Sequence, residues 1–314
     1  MIGLKKNIGF CGLGTMGAPM AANLVRAGHR VTGYDLDPKR ASLVPGMNTA
    51  TSAADCARDA DIVMVSVPGP RQFAALMDEG LGDALGGGTT LVDLTTNDLT
   101  LTRAWGSRLA ERGVAMLDAP VTGAVDGAIS GRLTLFVGGE RSCYEKIVSV
   151  LDAISAKSIY SGPLGTGNVV KLVTNQLWFI HAAAIGEGLM LGKKAGVDLI
   201  TLWEAIRSSV GTSFVAEHDI PSIFAGHYDP SFTLDLCVKD LGLIMDLGQA
   251  VGAPIPLTLQ AQSRFLLARE TYGGQAAELH VAKLIEDEAG TDLRATGDWK
   301  THWAATSDVV ASIS

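Results

Sequence analysis

The sequence predicts a doubly wound α/β domain with a mostly parallel sheet, followed by an all-α domain and linked to it by a long helix. Three observations predict this order. Through the first half, short apolar runs alternate with helical patterns and glycine-rich turns. After Gly167 the alternation stops, and helical pattern follows helical pattern. At the change stands one unbroken helical pattern running to Lys194, closed by Ala195-Gly196. These signals divide the chain into 1–163, a bridging helix at 164–195, a helical domain at 196–288 and a tail at 289–314. With 314 residues, 47% of them hydrophobic, both domains can bury a core.

The first element is the apolar run Asn7-Ile8-Gly9-Phe10-Cys11, readable as a strand. Gly12-Leu13-Gly14-Thr15-Met16-Gly17 follows at once, and Ala18 to Ala27 reads as a helix stopped by Gly28. Arg30 to Tyr34 is a second strand, ended by the acid Asp35. Gly12 permits the tight turn, Gly14 lets the backbone approach a pyrophosphate, and Gly17 lets helix and strand pack closely. The backbone from Leu13 through Thr15 and Met16 leads into a helix N-terminus whose N–H groups face the phosphates. Asp35 lies where an acid, about 20 residues on, accepts hydrogen bonds from the adenosine ribose and repels a 2′-phosphate. The unit is a Rossmann dinucleotide motif that favours NAD. Arg40 keeps NADP open, although a solvated helix position is its ordinary reading.

The alternation continues. Asp61 to Pro68 is a buried strand, and its end at Val67 and Pro68 should border the adenosine side of the cofactor. Thr89 to Thr96 is another strand; Thr95 and Thr96 can reach the nicotinamide ribose or cap the next helix. Strands are expected near residues 8, 31, 62, 91, 115, 134 and 159, in one parallel sheet with helices on both faces. After the strand Val114-Leu117 comes a loop of small residues, Asp118 to Ala128. There the N–H groups of Thr122, Gly123 and Ala124, with the Thr122 hydroxyl, can form a concavity for a small carboxylate. An ordinary Gly/Pro loop explains the same residues equally well.

In the second half the long helix carries Lys171 and Asn175, four residues apart and so on one face. Their neighbours Val169, Val170, Leu172, Val173, Leu177 and Trp178 are apolar, a setting where lysine needs a task or a partner. Further helices are expected at Asp198 to Ser208, with Asp198 as cap, at Cys237 to Leu247, at Leu257 to Glu270 and at His280 to Glu288. Val210 to Gly226 is less regular. In the tail, Trp299 and Trp303 stand four apart in a polar stretch. Packing, for instance against a partner subunit, is the expected use of that stripe, ahead of a lid.

Composition excludes other classes. The net charge of −8, with no basic run, argues against nucleic acid. Cys11, Cys56, Cys143 and Cys237 are far apart, so neither disulfides nor a metal site is suggested. The most apolar long segment, Val169 to Leu191, is interrupted by Lys171, Asn175, His181 and Glu187 and makes a poor membrane span. The N-terminus shows no signal-peptide pattern, so the cytoplasm is the expected location. Charged residues are only 18% of the chain, which points to apolar surface covered in a homodimer or homotetramer.

Four ordered motifs resemble the β-hydroxyacid dehydrogenase family, which includes 3-hydroxyisobutyrate dehydrogenase and tartronate semialdehyde reductase and is related to 6-phosphogluconate dehydrogenase. They are Gly12 to Leu24, Asp118 to Ala128, Gly165 to Asn175, and Lys239-Asp240-Leu241, and the likeness runs to about residue 288. The resemblance implies that Lys171 is the catalytic acid/base and that Asn175 helps hold the substrate. It implies that Thr122, Gly123 and Ala124 bind the substrate carboxylate, that Thr96 contacts the nicotinamide ribose, and that Lys239 and Asp240 serve the cofactor end of the site. Thr122 stands where the family commonly has Ser, and Ala124 where a second Gly is common. The added methyls narrow the pocket and bear on which substrate fits.

The expected reaction is reversible NAD-dependent oxidation of a small 3-hydroxy acid to its semialdehyde or keto acid. A free lysine titrates near ~10.4, too high for an efficient base, so partial burial and the neighbouring Lys239 should bring Lys171 down. An imine reductase would carry another residue in place of Lys171. An oxidative decarboxylase resembling 6-phosphogluconate dehydrogenase would need a basic sugar-phosphate pocket. A cofactor-binding regulator without catalysis would have no use for Lys171 and Asn175 on one face. The stretch from Val210 to Tyr228, with Ser213, Phe214, His218 and His227, is expected to shape substrate choice, and His218 is as readily an ordinary helix histidine.

Overall fold

The computed structural model describes residues 5–299. Backbone contacts divide them into two compact units, 5–171 and 172–299, and the division falls inside the long helix just after Lys171.

The first unit is a nine-stranded sheet. Its strands are β1 (Asn7–Cys11), β2 (Arg30–Tyr34), β3 (Asn48–Thr49), β4 (Ile62–Val65), β5 (Thr90–Asp93), β6 (Ala115–Asp118), β7 (Val121–Thr122), β8 (Leu133–Gly139) and β9 (Ser155–Gly162). The spatial order is β3-β2-β1-β4-β5-β6-β8-β7, with β9 also paired to β8. The order reverses between β1 and β4, and a dinucleotide lies outside the carboxyl ends of strands at such a switch point. All four residues of β4 are buried, as expected of a strand covered on both faces.

The expectation of one parallel sheet holds from β3 to β6 and for β8 with β9. It fails where β8 meets β6 and β7, which pair with it antiparallel. The helix between β7 and β8, Ala124–Ser130, has 7 residues. At about 1.5 Å per residue it is too short to carry the chain back along the sheet, so the strand returns in the opposite sense. β3 and β7 have 2 residues each, too short for any periodicity to announce them.

One face of the sheet packs Phe73, Leu81, Trp105 and Leu109 onto Val63, Val65, Leu91 and Met116. The helix Gly17–Arg26 buries Met20, Ala21 and Leu24, and its Asn23 Nδ2 donates to the carbonyl of Ala128 at 2.7 Å. That bond ties the cofactor-motif helix to the Ala124–Ser130 helix within one unit.

The long helix runs Thr166–Lys194. In the second unit follow helices Leu199–Arg207, Ile220–Ala225, Leu234–Val251, Pro256–Tyr272 and His280–Ala289. Asp198 caps the first of these and Thr233 the third. The irregular stretch contains a π-turn at Val215–Asp219, with Ser213 Oγ accepting from Ala216 N. Phe179 and Phe265 meet edge to face at 5.2 Å in the core, beside Trp178. Arg264 grips Glu288 with two bonds of 2.8 and 2.9 Å. Trp299 packs on Trp203 and Phe224 of its own chain, at 5.6 and 5.3 Å, as a packing role predicts; Trp303 lies outside the described residues. Among the described residues no helix is long and apolar enough to cross a membrane, and no three metal-binding side chains cluster.

Candidate active site

The glycine motif forms the turn from β1 into the helix Gly17–Arg26. A side chain at Gly17 would overlap the carbonyl oxygen of Gly12, and one at Gly12 would overlap that of Ser66. These two positions therefore let the β1 turn, the helix and the end of β4 close on one another. In front of Gly14 the nearest group is the Arg40 guanidinium, 3.4 Å from where a Cβ would stand. No side chain caps the helix at Met16 and no acid stands in its first turn. By contrast the helices at Leu99, Leu199 and Leu234 are capped by Asp98, Asp198 and Thr233. An uncapped N-terminus beside Leu13, Thr15 and Met16 is fit for an anion.

Asp35 is half-buried at the end of β2. One carboxylate oxygen accepts from Leu13 N at 2.7 Å and the other from Asp37 N at 2.9 Å. A carboxylate has about four acceptor positions, so it can clamp the glycine turn and still take ribose hydroxyls. These residues fit NAD. Arg40 sits in the short helix Pro38–Ala41, about half exposed and 3.9 Å from Asp37.

Past β4, Val67 N donates to Thr95 Oγ1 at 3.3 Å, and Pro68 follows at the surface. Thr95 is buried, so it holds the two strand ends together and offers nothing to a ribose. Thr96 is half-exposed and stays available. Neither caps the next helix, because Asp98 does, accepting from Leu101 N at 2.7 Å.

Gly123 and Ala124 both have positive φ, 119° and 49°. Ala124 pays for that conformation in strain, as a residue with a Cβ does in this region. The turn brings the Thr122, Gly123 and Ala124 backbone to the start of the Ala124–Ser130 helix, again without a side-chain cap.

The long helix begins against the ends of β5 and β6. Asp118, fully buried, accepts from Gly165 N at 2.6 Å and from Asn168 N at 2.7 Å. A side chain at Gly167 would overlap the Phe136 carbonyl and stand 2.9 Å from Asp118 Oδ2, so only glycine lets the helix start sit there. Lys171, half-buried, follows one turn later.

In the helical unit, Asn175 Nδ2 donates to Asp240 Oδ2 at 2.8 Å, and Lys239 pairs with Asp240 Oδ1 at 2.8 Å. Asp240 is 1% exposed. It therefore orients Asn175 and Lys239 together, a task the sequence did not assign to it. Helical spacing puts Asn175 one turn beyond Lys171. His218 packs at a tilt against Phe214, ring centroids 4.5 Å apart, and lies 3.7 Å from Glu217. Burial lowers His227, against a raising effect of Asp229. Burial pushes Asp219 up to about 7, against a bond from Trp178 Nε1 of 2.9 Å.

The family model described as the NAD binding domain of 6-phosphogluconate dehydrogenase matches residues 7–162. The model described as NAD-binding of NADP-dependent 3-hydroxyisobutyrate dehydrogenase matches residues 165–285. The L-threonate dehydrogenase of Cupriavidus necator is 35% identical over 288 residues, 90% of this chain and 97% of that protein. The 3-hydroxyisobutyrate dehydrogenase of Pseudomonas aeruginosa is 36% identical over 83% of this chain and 91% of its own. The solved 3-hydroxyisobutyrate dehydrogenase of Mycobacterium tuberculosis, with L-serine, aligns at a TM-score of 0.84 and 30% identity, over 90% and 99% of the two chains. Both halves of the fold thus match models that meet almost end to end, and the chain belongs to the β-hydroxyacid dehydrogenase family of NAD(P)-dependent oxidoreductases.

Proposed function

We propose that the chain interconverts a small 3-hydroxy acid and its semialdehyde or keto acid, with NAD as cofactor and Lys171 as general acid/base. The observation that carries this reading is the long helix itself. Its first turn is pinned by Asp118, its second presents Lys171, and Asn175 stands one turn on with its amide fixed by Asp240.

Bound nicotinamide supplies the hydride acceptor in oxidation and the donor in reduction. Lys171 Nζ takes the hydroxyl proton as the carbonyl forms and returns it in the reverse direction. The Asn175 amide gives one Nδ2 proton to Asp240 and keeps the other to donate to the substrate oxygen, which orients that oxygen without competing for the proton Lys171 moves. Thr122, Gly123 and Ala124 hold the carboxylate through backbone N–H groups and the Thr122 hydroxyl. Thr96 contacts the cofactor ribose, and Lys239 assists cofactor binding. Relatives named for threonate, serine and 3-hydroxyisobutyrate support a small hydroxy acid as substrate.

Exposed leucines at 177, 191, 257, 259, 266 and 267 support a homodimer or homotetramer, and a cytoplasmic enzyme is proposed. The test is a panel of 3-hydroxyisobutyrate, L-threonate, L-serine and glycerate with NAD, followed at the reduced-nicotinamide absorbance. Turnover of at least one member is expected; no turnover in either direction by folded, NAD-binding protein contradicts the reading.

A further inference from the structure

The ends of β5 and β6 carry two buried carboxylates in register. Asp93 pairs with Asp118 across the strands, and both are 0% exposed. Each holds a different segment. Asp118 accepts from Gly165 N and Asn168 N, with Asn168 Nδ2 at 3.3 Å. Asp93 accepts from Thr95 N at 3.0 Å and from Asn97 Nδ2 at 2.8 Å. Asn168 closes the circuit, because its Oδ1 accepts from Asn97 N at 2.8 Å. Asn97 and Asn168 are themselves 0% exposed. The loop that carries Thr96 and the helix start that carries Lys171 are thereby fastened to one another and to the same two strand ends.

We propose that Asn168, with Asp118, is a positioning residue for the acid/base: the network sets the place of the Lys171 helix start relative to the Thr96 loop. The inference rests on the reading of Lys171 as acid/base and Thr96 as a cofactor contact. Two physical points support it. Gly138 and Gly167 adjoin Asp118, and a Cβ would overlap its Oδ1 at the first and stand 2.9 Å from its Oδ2 at the second. The backbone has thus been cleared so that a carboxylate can reach the helix N–H groups. The arrangement also carries a stability penalty. Burial, with Asp118 adding to it, pushes Asp93 up to about 7, and burial raises Asp118 as well. An apolar strand-to-helix contact would hold the fold without burying two acids. What apolar packing lacks is direction, and six directed bonds fix an angle and a distance.

The test uses the full chain with Asn168→Ala and Asn168→Asp, beside Lys171→Ala. Asn168→Ala is expected to lower kcat about a hundredfold, the scale of a small misplacement of a catalytic group. KM for the hydroxy acid and Kd for NAD are expected to move less than about threefold, because no binding contact is removed. In NAD-free protein, amide hydrogen exchange in peptides covering 95–98 and 164–171 should quicken together. Asn168→Asp keeps both bonds only while its new carboxyl is protonated. It is expected to retain about a third of wild-type kcat near pH 6 and to lose it, relative to wild type, as that carboxyl ionises toward pH 9. A folded Asn168→Ala with kcat within about twofold of wild type overturns the inference. So does an Asn168→Asp profile parallel to wild type, which remains readable if the alanine variant fails to fold. An active Lys171→Ala overturns the underlying reading instead. An inactive Lys171→Ala beside a fully active Asn168→Ala overturns this inference alone.

Discussion

At the scale of the residue, Asp35 does two things with one carboxylate. It was legible from its place after the second strand as a ribose acceptor. Its bonds to Leu13 N and Asp37 N also make it the clamp of the glycine turn, which spacing alone does not reveal. Asp35→Ser should weaken NAD about tenfold or more, because hydrogen bonds to a charged group are lost, and should raise affinity for NADP beside Arg40. Calorimetric titration of both cofactors checks this; unchanged NAD affinity would count against the assignment. Thr95 and Thr96 show the limit of reading by type. They are adjacent and identical, and only burial tells that Thr95 ties strand ends while Thr96 stays accessible. Asp240 was legible as part of a motif but not as the group that orients Asn175, since that bond joins residues 65 positions apart.

At the scale of the element, the long helix was the most legible feature, because an apolar periodic run of this length has few alternatives. It was expected at 164–195 and runs Thr166–Lys194, its start held by the Asp118 bonds to Gly165 N and Asn168 N. The reason Gly167 is glycine is likewise tertiary. Gly167→Ala should destabilise by about 1–3 kcal/mol, as overpacking typically does, and should lower kcat as the helix start is displaced. Thermal melts and steady-state kinetics on the variant check both. A melt and a kcat equal to wild type would show that the close approach to Phe136 and Asp118 is loose. β7 and the antiparallel turn of β8 were not legible, because two residues show no period and strand sense depends on the connection rather than on the strand.

At the scale of the whole molecule, the order of an α/β unit, a bridging helix and an all-α unit was written in the change of period at Gly167. The polar interior was not, because the bonds that close it, from Gly165 N and Asn168 N to Asp118 and from Asn97 N to Asn168, join segments far apart in the chain. Its titration has a consequence for the whole fold. Asp93 and Asp219 rise from 3.8 to about 7, each chiefly through burial. Between about pH 4 and 7 the folded chain therefore binds more protons at these groups than the unfolded chain, and their contribution to stability falls as pH rises. Each is worth about 2 kcal/mol between pH 5.5 and 8. Asp219→Asn, which can still accept from Trp178 Nε1, should stabilise the protein at pH 8 and flatten the pH dependence of Tm. Calorimetric scans at both pH values check it, and an unchanged slope would place the proton elsewhere.

The most direct test of the central claim is Lys171→Ala, measured with any hydroxy acid that the wild type oxidises. General acid–base catalysis contributes about 10²- to 10⁴-fold, so kcat should fall by that range while Kd for NAD stays within about threefold. Near-normal kcat in this variant would contradict the assignment of Lys171 as the group that moves the proton.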